Sequence, residues 1–210
     1  STLTSLGTWP LGVSYGTTRL MRLLEGEDGA LSGQSLRVGY VGVTVLQTIV
    51  EGLVVGTTLK GGRGSVASGP VDGPTSGDAL DRLADLDART RTTFDADLGI
   101  MASSPTLRFA LAVKNLRSVE FEEIAGNSIR LPRQARAGVA FIPTSGLTLA
   151  MDLDLNTVDL MGDIRRMLAA GGELALGSKV QVRSGVRWNL ADDQRLAGAL
   201  GASLSVSQGL

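Results

Sequence analysis

The sequence predicts an all-β fold, an antiparallel up-and-down transmembrane β-barrel of about ten strands. Three observations support this. Apolar residues alternate with small or polar residues over many short stretches, turn residues including 28 glycines recur along the chain, and short connections alternate with long ones. Short turns at one rim and long loops at the other are typical of outer-membrane barrels. Because no linker interrupts this pattern, we expect a single β-barrel domain over residues 1–210.

Apolar and polar residues alternate most clearly in the second half of the chain. From Phe94 to Met101 apolar side chains occupy every second position, with Asp95 and Asp97 between them, a period that fits a strand and not a helix. Similar strands are predicted near residues 107–114, 135–141, 147–156, 168–176, 180–189 and 200–206. Each of these strands therefore separates an apolar face from a face of small and polar residues.

The first half alternates less regularly. Strands are predicted at residues 11–22, 36–47 and 53–60, with a turn at residues 48–52. A buried helix or helical hairpin over residues 38–56 is the alternative, because a short apolar run does not identify its own period. Gln47, Glu51 and the glycines in this stretch argue against a transmembrane helix.

Two long loops are predicted between the strands. The loop at residues 61–92 contains prolines and a short helical pattern that Thr75 or Ser76 could cap. The loop at residues 119–133 combines apolar residues with three glutamates. Either loop is a candidate site for a protein partner, and the simpler alternative for both is a solvated surface excursion.

Alternation alone leaves open which face lies inside, because a soluble barrel encloses its apolar face and a membrane barrel exposes it. The polar face is rich in small residues, aspartate and arginine, with few lysines, which favours a crowded lumen over a water-exposed surface. We therefore expect the lipid bilayer as a partner and the bacterial outer membrane as the location. A soluble lipocalin-like carrier with the opposite face assignment is the alternative.

Composition excludes several classes of function. The 20 basic and 21 acidic residues give a net charge of −1, so no basic excess predicts binding to nucleic acid. Histidine and cysteine are both absent, which removes imidazole bases, thiolate nucleophiles and the usual zinc ligands. We therefore predict that the chain is not an enzyme and has no catalytic residues, no cofactor and no metal site.

Charged residues on the predicted polar face form the candidate site. Buried carboxylates are costly unless cations compensate them, so we expect a lumen charge network. A carboxylate site for calcium, built from the four aspartates, is the alternative. Arg37 and Lys60 are placed on the same side. The predicted network comprises Asp95, Asp97, Arg108, Lys114, Arg136, Asp152, Asp154, Glu173, Arg183 and Arg187.

Several stretches resemble PorV/PorQ-like outer-membrane proteins, distant relatives of the FadL-type transporters of hydrophobic compounds. They are VEGLVVGTTLK at residues 50–60, FDADLGIMAS at 94–103, LAVKNL at 111–116, LPRQARAGVAFIP at 131–143, LTLAMDLDL at 147–155 and VRSGVRWN at 182–189. The resemblance implies a longer barrel, of which this chain is expected to be an incomplete part.

It also implies a role in transport, export or anchoring of exported material. A structural or interaction subunit of a larger cell-envelope assembly is the alternative function.

Overall fold

The structure is a computed structural model that describes residues 2–25, 31–70, 89–122, 128–177, 179–191 and 196–204. The regular structure of these residues is entirely β, which confirms the predicted all-β class. None of the described residues forms a helix with the length and apolar character needed to cross a membrane.

Fifteen strands are present within the described residues. Their bounds are β1 Thr2–Thr8, β2 Leu11–Glu25, β3 Leu31–Val50, β4 Leu53–Pro70, β5 Arg89–Ser103, β6 Leu107–Lys114, β7 Glu120–Glu122, β8 Ser128–Arg130, β9 Gln134–Thr144, β10 Leu147–Asp154, β11 Val158–Leu160, β12 Asp163–Arg165, β13 Met167–Leu176, β14 Val180–Asn189 and β15 Leu196–Leu204.

Eleven of these strands form one antiparallel sheet with up-and-down connectivity. Its order is β1-β2-β3-β4-β5-β6-β9-β10-β13-β14-β15, so strands adjacent in the sheet follow one another along the chain. The two small hairpins, β7–β8 and β11–β12, are inserted between sheet strands. The prediction of about ten antiparallel strands is therefore confirmed, with one more strand than expected.

The chain divides into two compact units. Unit one comprises residues 1–46, 57–97 and 115–133, and unit two comprises residues 47–56, 98–114 and 134–210. Each unit is described by itself below.

In unit two, the pairing register separates two unlike faces, because directly opposed residues of antiparallel strands share a face. Leu111 pairs with Ala137, while its neighbour Ala110 pairs with Gly138 on the other face. Leu111, Leu149 and Val182 are 42%, 46% and 38% exposed. The apolar face of this unit is thus exposed and does not form a closed interior.

In unit one, the same division into two faces holds where the start of β2 pairs with the second half of β3. Val13 pairs with Val43 and Tyr15 with Val41, and all four side chains are about half exposed. The opposite face carries small or hydroxyl-bearing residues, where the Thr44 and Thr58 hydroxyl oxygens lie 2.8 Å apart.

Unit one also contains a buried apolar cluster. The Phe121 ring of hairpin β7–β8 lies so close to Gly64 that a Cβ at that position would overlap it. Glycine at residue 64 is therefore required for the hairpin to lie against β4. The buried apolar residues of this unit are Leu36, Val66, Ala67, Phe121 and Ile129.

The predicted loop at residues 61–92 is shorter than expected. Strand β4 continues to Pro70 and β5 already begins at Arg89, because glycines and small residues in this stretch pair within the sheet. The helical pattern in this loop falls within residues 71–88, outside the described residues. The predicted loop at 119–133 contains hairpin β7–β8, and β1 is a strand that the sequence pattern did not predict.

The predicted turn near residues 48–52 is confirmed and rules out the helical alternative for residues 38–56. Strand β3 ends at Val50, β4 begins at Leu53, and Gly52 has a φ of 79°. A Cβ at Gly52 would lie 2.5 Å from the Ser103 carbonyl oxygen. Both the backbone conformation and the close approach therefore require glycine.

Arg37 was placed on the wrong face. It pairs with Arg19 in a continuous register in which Tyr15 opposes Val41, so it shares the face of the exposed valines. Lys60 lies on the other face, where its Cγ would contact a Cβ at Gly42.

We expect Phe121→Ala to lower the free energy of unfolding by about 3–5 kcal/mol, because it removes a ring that is 2% exposed and leaves a cavity. Glu120→Ala is the control, since the exposed Glu120–Arg130 ion pair contributes at most about 1 kcal/mol. Denaturant unfolding in detergent micelles measures both. Equal destabilisation by the two substitutions would contradict a packing role for the ring.

Candidate functional site

In unit one, Lys60 is the centre of a compact charge cluster. Its Nζ lies 3.2 Å from Asp95 Oδ2 and 2.6 Å from Asp97 Oδ1, and it donates a hydrogen bond of 2.9 Å to Asn115 Oδ1. The side chains of Lys60 and Asp95 are only 14% and 9% exposed. An ammonium at this depth needs opposite charge close by, and β5 supplies it from two successive positions on one face.

The same two carboxylates also hold the start of the segment that carries hairpin β7–β8. Asp97 Oδ1 accepts a bond of 2.9 Å from the Asn115 backbone N–H, and Asp95 Oδ1 accepts one of 3.1 Å from that of Arg117.

The end of this segment is hydrogen-bonded to its start. Asn115 Nδ2 donates to the Pro132 carbonyl oxygen at 3.1 Å, and Arg133 Nη2 donates to that of Leu116 at 2.5 Å. Asn115 has a φ of 55°, a left-handed conformation that asparagine tolerates better than most residues. The Lys60 cluster thus fixes the base of the hairpin segment as well as joining β4 and β5.

In unit two, Asp154 is the most buried charged group among the described residues, at 1% exposure. Its Oδ1 accepts hydrogen bonds from Arg136 Nε at 2.7 Å and Gln134 Nε2 at 3.1 Å, and its Oδ2 accepts one of 2.9 Å from the Met167 N–H. Both oxygens are therefore satisfied, which makes the burial of this carboxylate tolerable.

Asp152 is held less tightly than Asp154. Its Oδ1 lies 3.2 Å from Arg136 Nη1, but the angles there do not make a hydrogen bond. Glu173 and Arg183 form a third ion pair, with Oε2 and Nε 3.7 Å apart and both side chains about half exposed. Arg183 Nη2 also donates to Ser203 Oγ at 3.2 Å.

Three of the predicted site residues lie on this face without an ion pair. Within the part of the chain that the structure describes, Arg108, Lys114 and Arg187 make no salt bridge, and all three are exposed. Charge compensation in unit two is therefore partial, and a lumen filled by compensating charges stays a prediction.

A cavity of about 530 Å³ opens on the polar face of unit two. Its lining is dominated by small residues, and among the described residues Asp152 and Arg187 are its only charged members. The space exists because strands β10, β13, β14 and β15 place alanine or glycine at adjacent positions of this face.

Sequence reasoning missed the polar residues that complete these clusters. Gln134 lies two positions before Arg136 and therefore on its face, so strand period alone could have identified it. Asn189, 9% exposed, accepts from the Arg166 N–H at 2.9 Å and donates to the Ile164 carbonyl at 3.0 Å. Nothing in the local pattern predicts this long-range role.

No group of histidine, cysteine or acidic side chains within the described ranges is arranged to hold a metal ion. The aspartate pairs predicted as an alternative calcium site instead accept cationic side chains, Lys60 for Asp95 and Asp97 and Arg136 for Asp152 and Asp154.

Comparison with known proteins gives one family match. The family model described as "F plasmid transfer operon, TraF, protein" matches residues 30–154. This is a different family from PorV/PorQ, and the comparisons do not support that finer resemblance. No curated protein matches the chain. A solved structure that the chain matches is that of the NanC porin, 11% identical over 97% of each chain with a TM-score of 0.41.

We expect Asp154→Ala to lower the free energy of unfolding by about 3–5 kcal/mol, because it leaves the Arg136 guanidinium and the Met167 N–H without their main acceptor. Asp152→Ala is the matched control two positions away. It removes a carboxylate that is 40% exposed, and the expected loss is at most about 1 kcal/mol. Chemical denaturation in detergent tests this ranking, which a larger loss for Asp152→Ala would contradict.

Proposed function

The chain belongs to the family of the F plasmid transfer operon protein TraF, whose model covers more than half of it, and from this premise we propose an outer-membrane β-barrel that passes exported material. The family's name supports a connection with conjugative transfer. The proposal includes no enzymatic step and no cofactor.

The observation that carries the proposal is the exposed apolar face of the sheet. In unit two alone, Phe109, Leu149, Val186 and Leu200 are 53%, 46%, 52% and 87% exposed. A soluble protein rarely exposes a continuous apolar surface of this kind, whereas a bilayer favours it. Every strand between the edges of the sheet also pairs on both sides, as the lipid environment demands of backbone polar groups.

The polar face supports passage of solutes. It combines small residues with charged groups that are partly or fully exposed, and it borders the cavity described above. A face of this composition hydrates readily and leaves room beside the backbone.

A second candidate function is that of a scaffold in an envelope assembly. The observation in its favour is the buried cluster of unit one, where the Lys60 network and Phe121 hold hairpin β7–β8 in place. A fixed hairpin of this kind is suited to presenting a surface to a protein partner. Reconstitution in planar bilayers separates the two candidates, since passage requires ion conductance and a scaffold does not.

We expect Leu149→Arg to prevent stable insertion into phospholipid vesicles, because arginine on a lipid-exposed strand costs about 2–4 kcal/mol near the bilayer midplane. Ala150→Arg is the control, since its side chain projects from the opposite face and remains hydrated. Flotation of refolded protein with vesicles measures insertion. If Leu149→Arg floats as well as the wild type while Ala150→Arg does not, the two faces are assigned the wrong way round.

A further inference from the structure

On the polar face of unit two, cationic side chains outnumber carboxylates, and some of the cations form no ion pair. The register places five cationic side chains and three carboxylates on this face, an excess of two positive charges. They are Arg108, Lys114, Arg136, Arg183 and Arg187 against Asp152, Asp154 and Glu173.

All three carboxylates are engaged by arginine. Arg136 lies within 3.2 Å of both Asp152 and Asp154, and Arg183 lies 3.7 Å from Glu173. One guanidinium thus faces two carboxylates and the other faces one, while Arg108, Lys114 and Arg187 make no salt bridge in the described structure.

The uncompensated cations are also accessible. All three are exposed, and Arg187 lines the cavity of about 530 Å³ together with Asp152, Val186, alanines and glycines. Small neighbours leave the guanidinium donors uncovered, and a guanidinium binds carboxylate, sulfate and phosphate groups in the same way, through paired N–H donors.

We propose that this face selects anions: Arg108, Lys114 and Arg187 make anionic solutes, or the acidic groups of exported material, the preferred cargo of the barrel. This inference rests on the proposed function, which places the face along a water-filled path. Unpaired charge of one sign beside a low-dielectric wall raises the local concentration of counter-ions. Arg183 contributes little to the preference because Glu173 cancels its field. Arg136 faces two carboxylates, so the paired groups offset one of the three unpaired cations and leave the excess of two.

The test uses the whole chain in planar bilayers with a potassium chloride gradient. The wild type is expected to show a reversal potential of the sign that chloride preference gives. Arg108→Glu combined with Arg187→Glu is expected to abolish or invert that preference. The control, Arg165→Glu with Lys179→Glu, makes the same charge change in hairpin β11–β12 and in the turn before β14, and is expected to leave the preference unchanged.

Neutral substitutions at the same positions serve as a second test in case the charge reversals prevent folding. Arg108→Gln with Arg187→Gln should reduce the chloride preference in the same direction but by less. A conducting wild type without chloride preference, or an equal effect of the control pair, would overturn the inference while leaving passage intact.

Absence of conductance from folded wild-type protein would count against the proposed passage function, and a second measurement then decides the inference. Fluorescence polarisation of a trisulfonated pyrene dye reports anion binding to the protein in detergent. Binding that weakens severalfold with salt and in the Arg108/Arg187 variant, but not in the control variant, supports the inference. No binding, or equal binding by all variants, overturns it.

Discussion

Pairing of backbone polar groups between neighbouring strands is the constraint on which the rest of this structure depends. Because the N–H and C=O groups inside the sheet are satisfied by adjacent strands, no side chain is needed for that purpose. The apolar side chains are thereby free to be exposed on one face, and the other face can be assembled from glycine, alanine and charged residues. The continuous register of β13 and β14, ten residue pairs without a shift, keeps the two faces separate along the full length of both strands.

Charge on the polar face obeys a second constraint, since the cost of desolvation rises with burial. Asp154, 1% exposed, has three donors on its two oxygens, whereas half-exposed Glu173 has one distant partner. Lys60 in unit one follows the same rule with two carboxylates and an amide oxygen. Asp154 and Lys60, the two more buried of these groups, thus have more partners than the half-exposed Glu173. Water supplies the remaining solvation at the exposed cations, and these are the groups left to interact with a solute.

Period-two alternation predicted the strands of the second half and their faces because each side chain there has only two possible environments. This alternation failed to predict strands where apolar and polar residues do not alternate. Residues 61–70 read as a loop because glycine is common in turns, yet here small residues allow close approach, as Phe121 against Gly64 shows. Of the site, the sequence predicted which charges of unit two share a face, but it misplaced Arg37 in unit one. It could not predict that Asn115 and Asn189 complete the clusters, because their partners come from distant parts of the chain.

The apolar positions of β3 change face along the strand, and this change has a physical meaning. Val41, Val43 and Val45 are exposed on one face, while Leu36, 1% exposed, lies on the other. A strand needs only about 9–11 residues to cross a bilayer, and β3 has 20. In the proposed membrane barrel, the part near Val43 therefore contacts lipid through its exposed valines, and the part near Leu36 extends past the bilayer into an environment of protein packing. The buried cluster of unit one lies in this second part, where hairpin β7–β8 supplies Phe121 and Ile129. In the proposed membrane barrel, this face change marks where β3 leaves the bilayer, because lipid contact and protein packing require apolar side chains on opposite faces of the same strand.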